Sequence, residues 1–225
     1  MTPNVIGIII KAIALVWYLV LVYLTLRRGL RIKVNRLFVM YLISVVYWQI
    51  TALMVSLSNS ASMALLWYKL LLLGIPAQWF VYFLFTQAFL NIRGQKWVIR
   101  LGALVWIAAL VAILSGTPYL IPYVYRDEHA GLFVPDFGPL VMMFAALSYV
   151  VLGYGVFNLF QGYRKVRSNL ERNRLWYLLL GIGTVILGSI ANFAPFLRPY
   201  PIEHVANNIN ALLIAYAILR YQLLD

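Results

Sequence analysis

Seven separate stretches of this chain are apolar over about twenty residues each, the length a helix needs to cross the ~30 Å hydrocarbon layer of a bilayer. They lie at residues 4–26, 37–57, 63–90, 98–115, 139–160, 175–194 and 203–221. Each such run reads as a spanning helix. The expected fold is an all-α membrane bundle of seven transmembrane helices, forming a single domain over residues 1–225. Composition agrees: 64% of residues are hydrophobic and 11% charged, whereas a soluble domain is about half apolar and about a quarter charged. The third run is overlong and is expected to tilt or to project a turn into water.

The connections sort by charge. "RRGLRIKVNR" holds five basic residues, "NIRGQKWVIR" three, and "QGYRKVRSNLERNR" five with one acid. The alternate connections together hold only Arg126 and Arg198 as cations, and most of the acids: Asp127, Glu128, Asp136 and Glu203. Basic loops stay on the cytoplasmic side, so the pattern predicts the N-terminus outside and the C-terminus inside, in a multi-pass protein of the cell membrane. The net charge of +12 is read as topology and not as nucleic-acid binding. The first run lacks a basic region ahead of it and a small-residue cleavage site, so it reads as a span and not as a removable signal.

The longest outward connection, "GTPYLIPYVYRDEHAGLFVPDFG", alternates in "YLIPYVYR", turns at "DEHAG" and can pair back through "LFV". A short β-hairpin over the outward helix ends is expected; the competing reading is an aromatic loop lying among headgroups.

Polar groups at membrane depth carry the most information. Lys69 lies about two turns into the third helix; it either snorkels outward or faces a cavity, to meet an anionic ligand or pair with Glu203. Lys11, at similar depth, reads as a snorkelling lysine. Glu203, Asn207 and Asn210 share one face of the seventh helix and must face protein, water or a ligand. Gly181, Thr184, Gly188 and Asn192 follow one side of the sixth helix as a packing seam, with Asn192 the pocket candidate. On the second helix, Trp48 and Gln49 sit near mid-membrane, and Gln49 needs a partner. The candidate ligand site is therefore Lys69, Glu203, Asn207, Asn210, Asn192, Gln49 and Trp48, among the outer halves of helices two, three, six and seven.

No catalytic constellation can be read. Cysteine is absent, which excludes disulfides and thiolate chemistry. His129 and His204 lie outside metal-ligand spacing, and no phosphate-binding glycine loop or H-E-x-x-H occurs. No cofactor and no metal are expected.

Three stretches carry a resemblance: "LLWYKLLLLGIPAQWFVYFLFTQAFLN", "ERNRLWYLLLGIGTVILGSIANF" and above all the exit "LLIAYAILRYQLLD". They resemble the seven-helix sensor region at the N-terminus of certain bacterial and archaeal histidine kinases and diguanylate cyclases. The resemblance implies a sensory receptor domain, normally homodimeric, which senses something outside or within the membrane; the expected partners are the membrane lipid and an unknown small-molecule ligand. It would pass a signal through Arg220, Tyr221 and Asp225 to a cytoplasmic kinase or cyclase module, in the same chain or a partner. The family implies no ligand residues. The exit shows no Gly or Asn cap, as expected of a helix that continues. Two other readings stand beside it: a small transporter or channel, which needs a polar path to the inner face where only Thr86, Gln87 and Asn158 are available, and a structural membrane subunit without a ligand.

Overall fold

A computed structural model describes residues 3–127, 131–191 and 200–221. Among them are seven helices: α1 (Pro3–Arg27), α2 (Lys33–Ser56), α3 (Ala61–Phe89), α4 (Lys96–Leu114), α5 (Pro139–Lys165), α6 (Asn169–Ala191) and α7 (Ile202–Tyr221). Each is long and apolar enough to span a membrane. Two short strands, β1 (Val124–Arg126) and β2 (Phe133–Pro135), lie between α4 and α5.

The helices close a ring, each packed on the next and α7 returning to α1; α3 also crosses the ring to pack on α5. Aromatic rings fill the middle. Phe38 and Phe85 lie 5.0 Å apart, and Tyr41 and Tyr82 5.2 Å apart, centroid to centroid. Leu152, Ile182 and Ala211 pack into the same core. α1 and α4 present the most surface to lipid.

Local sequence sets the ends. The Ser60 hydroxyl accepts from the Met63 N–H at 3.3 Å and caps α3. α3 stops where Asn91 turns left-handed at φ 51° and Ile92 N–H reaches the Gln87 carbonyl at 2.9 Å. α5 runs to Lys165 and α6 begins at Asn169, beyond the 139–160 and 175–194 limits set by hydropathy. The basic loop between them is mostly helix. Charge ends the apolar span, yet Arg and Lys are good helix formers and suit a helix C-terminus.

The hairpin forms as the alternation predicts, antiparallel with Val124 opposite Pro135 and Arg126 opposite Phe133. Pairing continues below the strands: Asp136 N–H donates to Tyr123 at 3.0 Å and Gly138 N–H to Leu120 at 2.7 Å. The Tyr68 hydroxyl on α3 donates to the Phe133 carbonyl at 2.8 Å, fixing the hairpin to the bundle, while Leu120 and Ile121 are buried beneath it. Gly138 makes the close approach possible, since a Cβ there would run into the Tyr119 carbonyl. Gly138→Ala is expected to open this ladder at a cost of about 1–3 kcal/mol, measured as faster proteolysis within the α4–α5 connection while the helices stay protected.

Candidate functional site

Polar side chains from α1, α2, α6 and α7 meet on the hairpin side of the bundle, and α7 supplies most of them. Asn207 donates to the Glu203 carbonyl one turn back at 2.8 Å. The Tyr18 hydroxyl of α1 lies 3.2 Å from both the Asn207 carbonyl and Asn207 Oδ1. Asn210 Nδ2 donates to that same hydroxyl at 2.8 Å, and Asn210 also approaches the Tyr41 hydroxyl of α2. Asn207 and Asn210 are buried, so this half of the stripe is satisfied by neighbouring helices, as buried polar groups in a bilayer require.

One residue away, His204 joins α7 to α2. Its Nδ1 lies 3.0 Å from Gln49 Oε1, and its ring stacks on Trp48 with centroids 4.9 Å apart and planes 26° apart. Gln49 Nε2 is buried with no hydrogen-bond partner among the described residues, and so is Asn208 Oδ1.

The charged members come next. Lys11 Nζ of α1 donates to the Ser56 hydroxyl of α2 at 2.5 Å and interacts electrostatically with Glu203 and His204. Glu203 accepts from the Ser189 hydroxyl of α6 at 3.1 Å. One cation, one carboxylate and one imidazole are thereby gathered on four helices.

The structure thus brings together Trp48, Gln49, Glu203, Asn207 and Asn210. Lys69 is half-buried on α3, beside the Tyr68 that holds the hairpin, and makes no hydrogen bond or ion pair among the described residues. α3 packs on α2, α4, α5 and the hairpin, whereas α7 packs on α6 and α1, so it is Lys11 that stands in the Glu203 field. Asn192 lies outside the described residues. Sequence reasoning passed over Lys11 and His204 as members. The signal for His204 was Gln49, an amide in an apolar helix that needs a partner; it pairs with the first turn of α7 and so lies nearer the hairpin side than mid-membrane.

Under the hairpin, α3, α4 and α5 enclose a separate cavity of about 30 Å³, lined by Leu72, Pro76, Ala109, Leu120, Phe144 and Ser148. It has room for about one or two waters, and none of the candidate polar residues lines it.

Two polar groupings sit at the basic end. Gln87 on α3 and Asn158 on α5, which look scattered in the sequence, are joined by Gln95. Gln87 donates to Gln95 Oε1 at 3.2 Å, Asn158 donates to the same oxygen at 2.9 Å, and Gln95 Nε2 donates to Asn158 Oδ1 at 2.9 Å. Gln95→Ala strands two buried amides and is expected to cost about 1–3 kcal/mol, read as a lower thermal midpoint in detergent. On α6, Arg174 Nε donates to the Tyr221 carbonyl at 2.7 Å. Tyr177, Tyr216 and Tyr221 pack on one another with ring centroids 5.1–5.8 Å apart. Tyr221 is thus held at the end of α7, Arg220 beside it is exposed, and Asp225 lies outside the described residues.

Among the described residues no group of three or more His, Cys, Asp or Glu side chains could hold a metal ion. Comparison with protein families gives a match over residues 9–225 to the model described as the N-terminal 7TM region of histidine kinase. No curated protein matches the chain.

Proposed function

The chain belongs to the family of N-terminal seven-transmembrane regions of histidine kinases, and from that premise we propose that it receives a stimulus on the hairpin side and relays it along α7 to a cytoplasmic kinase module. In this reading the basic end faces the cytoplasm of a cell whose plasma membrane holds the protein, normally as a homodimer. The stimulus is a small molecule or a change in the lipid, acting where Lys11, Gln49, Glu203 and His204 converge. Lys69, beside the hairpin anchor, is a second contact for an anionic group, and Asn192 and Asp225 belong to the same proposal.

One observation carries the reading. α7 is held by directional polar contacts at its first turns and by the Arg174 clamp at its last. Between them its buried residues are Ala211, Ile214, Ala217 and Ile218, which pack without direction. A helix fixed at two ends and smooth between them carries a shift at one end to the other. A ligand moves such an equilibrium only by binding one arrangement better than the other, and helix shifts of about 1–2 Å are sufficient output in known switches.

The test joins the chain through α7 to a histidine kinase module in membrane vesicles and follows autophosphorylation. Glu203→Gln on the first turn of α7 and Arg174→Gln on α6, against its last turn, should each change basal output several-fold. One to four residues inserted after Tyr221 should make output rise and fall with the ~100° per residue of a helix. Flat output across both variants and the insertion series removes the relay reading, and solute flux through liposomes holding the chain alone would install a transporter in its place.

A further inference from the structure

The corner between α5 and α6 holds Arg164, Lys165, Arg167 and Arg172 within nine residues, with Glu171 as the sole acid. These four cations are exposed, and none makes an ion pair among the described residues. Topology alone accounts for cations here, but not for how two of them are held. The Arg172 guanidinium sits over the Tyr163 ring at 5.0 Å, and Arg164 over Phe160 at 5.9 Å. Tyr163 in turn packs on Trp176 at 5.8 Å.

The order along each helix is the same. Phe160 lies four residues before Arg164 on α5, and Trp176 four residues after Arg172 on α6, so each aromatic lies one turn, about 5.4 Å, deeper in the span than its cation. Phe160 and Trp176 are 49% and 45% exposed, and so face lipid. The corner therefore presents two guanidiniums held on aromatic rings and, one turn deeper in the span, two half-exposed aromatic side chains. Guanidinium binds phosphate oxygens in bidentate fashion, and a stacked guanidinium has less freedom to lose on doing so. We propose that this corner is a binding site for one anionic phospholipid, its phosphate on Arg164 and Arg172 and its acyl chain along Phe160 and Trp176. The site lies at the same level of α6 as the end of α7, since Arg174, two residues beyond Arg172 and on another face, bonds the Tyr221 carbonyl. The binding claim stands apart from the signalling reading.

The experiment places the full chain in phosphatidylcholine nanodiscs carrying a minor fraction of phosphatidylglycerol, with bromine on the acyl chains of one lipid or the other. Trp176 quenching is the difference between the parent and Trp176→Phe. Brominated phosphatidylglycerol should quench Trp176 several-fold more than brominated phosphatidylcholine at equal mole fraction. The excess should vanish in Arg164→Gln/Arg172→Gln and shrink at ~1 M salt, where the Debye length falls to about 3 Å. Equal quenching by the two lipids overturns the proposal. So does an excess that survives the double substitution, or one lost equally in Arg93→Gln/Arg100→Gln, which would mean diffuse attraction to the whole basic face. Loss of the excess with millimolar inorganic phosphate would assign the site to free phosphate instead.

Discussion

Gly188→Leu will drive α6 and α7 apart and cost about 3 kcal/mol or more, the upper range for forcing volume into a packed interior. At Gly188 even a Cβ would overlap the Ala206 side chain and crowd the Glu203 Cα. One of those neighbours is backbone, which cannot swing aside as a side-chain tip can. Both obstacles lie on the polar turns of α7, so displacement there also pulls Glu203 from Ser189 and Asn207 from Tyr18. The matched control is Gly183→Ala on the same helix, where an added Cβ meets nothing within 4 Å. That change should be neutral or stabilise by up to about 1 kcal/mol through helix propensity. Thermal midpoints in detergent separate the two, at about 2–4 °C per kcal/mol for a chain of this size. If Gly188→Leu melts with Gly183→Ala, the seam is not close-packed.

How much of this was legible in the sequence depends on how many alternatives physics leaves open. Bilayer thickness and the need to satisfy every backbone group leave few structures for a long apolar run, so the seven spans could be read directly. The hairpin was legible because "YLIPYVYR" alternates and its turn carries Gly131, which adopts φ 66°. Helix ends were less legible: hydropathy marks where lipid stops, and α5 and α6 continue into water on residues that favour helix. The asparagine stripe of α7 follows from spacing within one helix. Lys69 was read as a site member and Lys11 as a snorkelling lysine, although each is a lone lysine at similar depth and nothing local orders them that way. What separates them is closure of the ring, which brings α1 to α7 and sets α3 against α5. His204 and Gln95 were hidden for the same reason. His204 finds Gln49 155 residues away, and Gln95 finds Asn158 63 residues away on α5 as well as Gln87 across a turn built on Asn91 and Gly94.

Two removals of a single hydroxyl should have opposite signs. Tyr18 and Tyr82 are both buried and both belong to the aromatic core. The Tyr18 hydroxyl is shared by Asn207 and Asn210, its partners lying at 3.2, 3.2 and 2.8 Å. Tyr18→Phe keeps the ring and strands those groups away from water, at about 1–3 kcal/mol for a buried group left unmade. It also removes one of the polar ties between α7 and α1, so a kinase fused beyond Tyr221 should change its basal output. The Tyr82 hydroxyl has no partner among the described residues. The protein already bears the desolvation of that group, and Tyr82→Phe relieves it. Its thermal midpoint should therefore hold or rise by the equivalent of about 1 kcal/mol. The ring itself must stay, because it packs on Tyr41 at 5.2 Å and a Tyr82→Ala cavity would cost about 3–5 kcal/mol. Should Tyr82→Phe destabilise as much as Tyr18→Phe, the Tyr82 hydroxyl has a partner in the membrane-embedded protein, and the polar row of α7 extends through Tyr41 to α3.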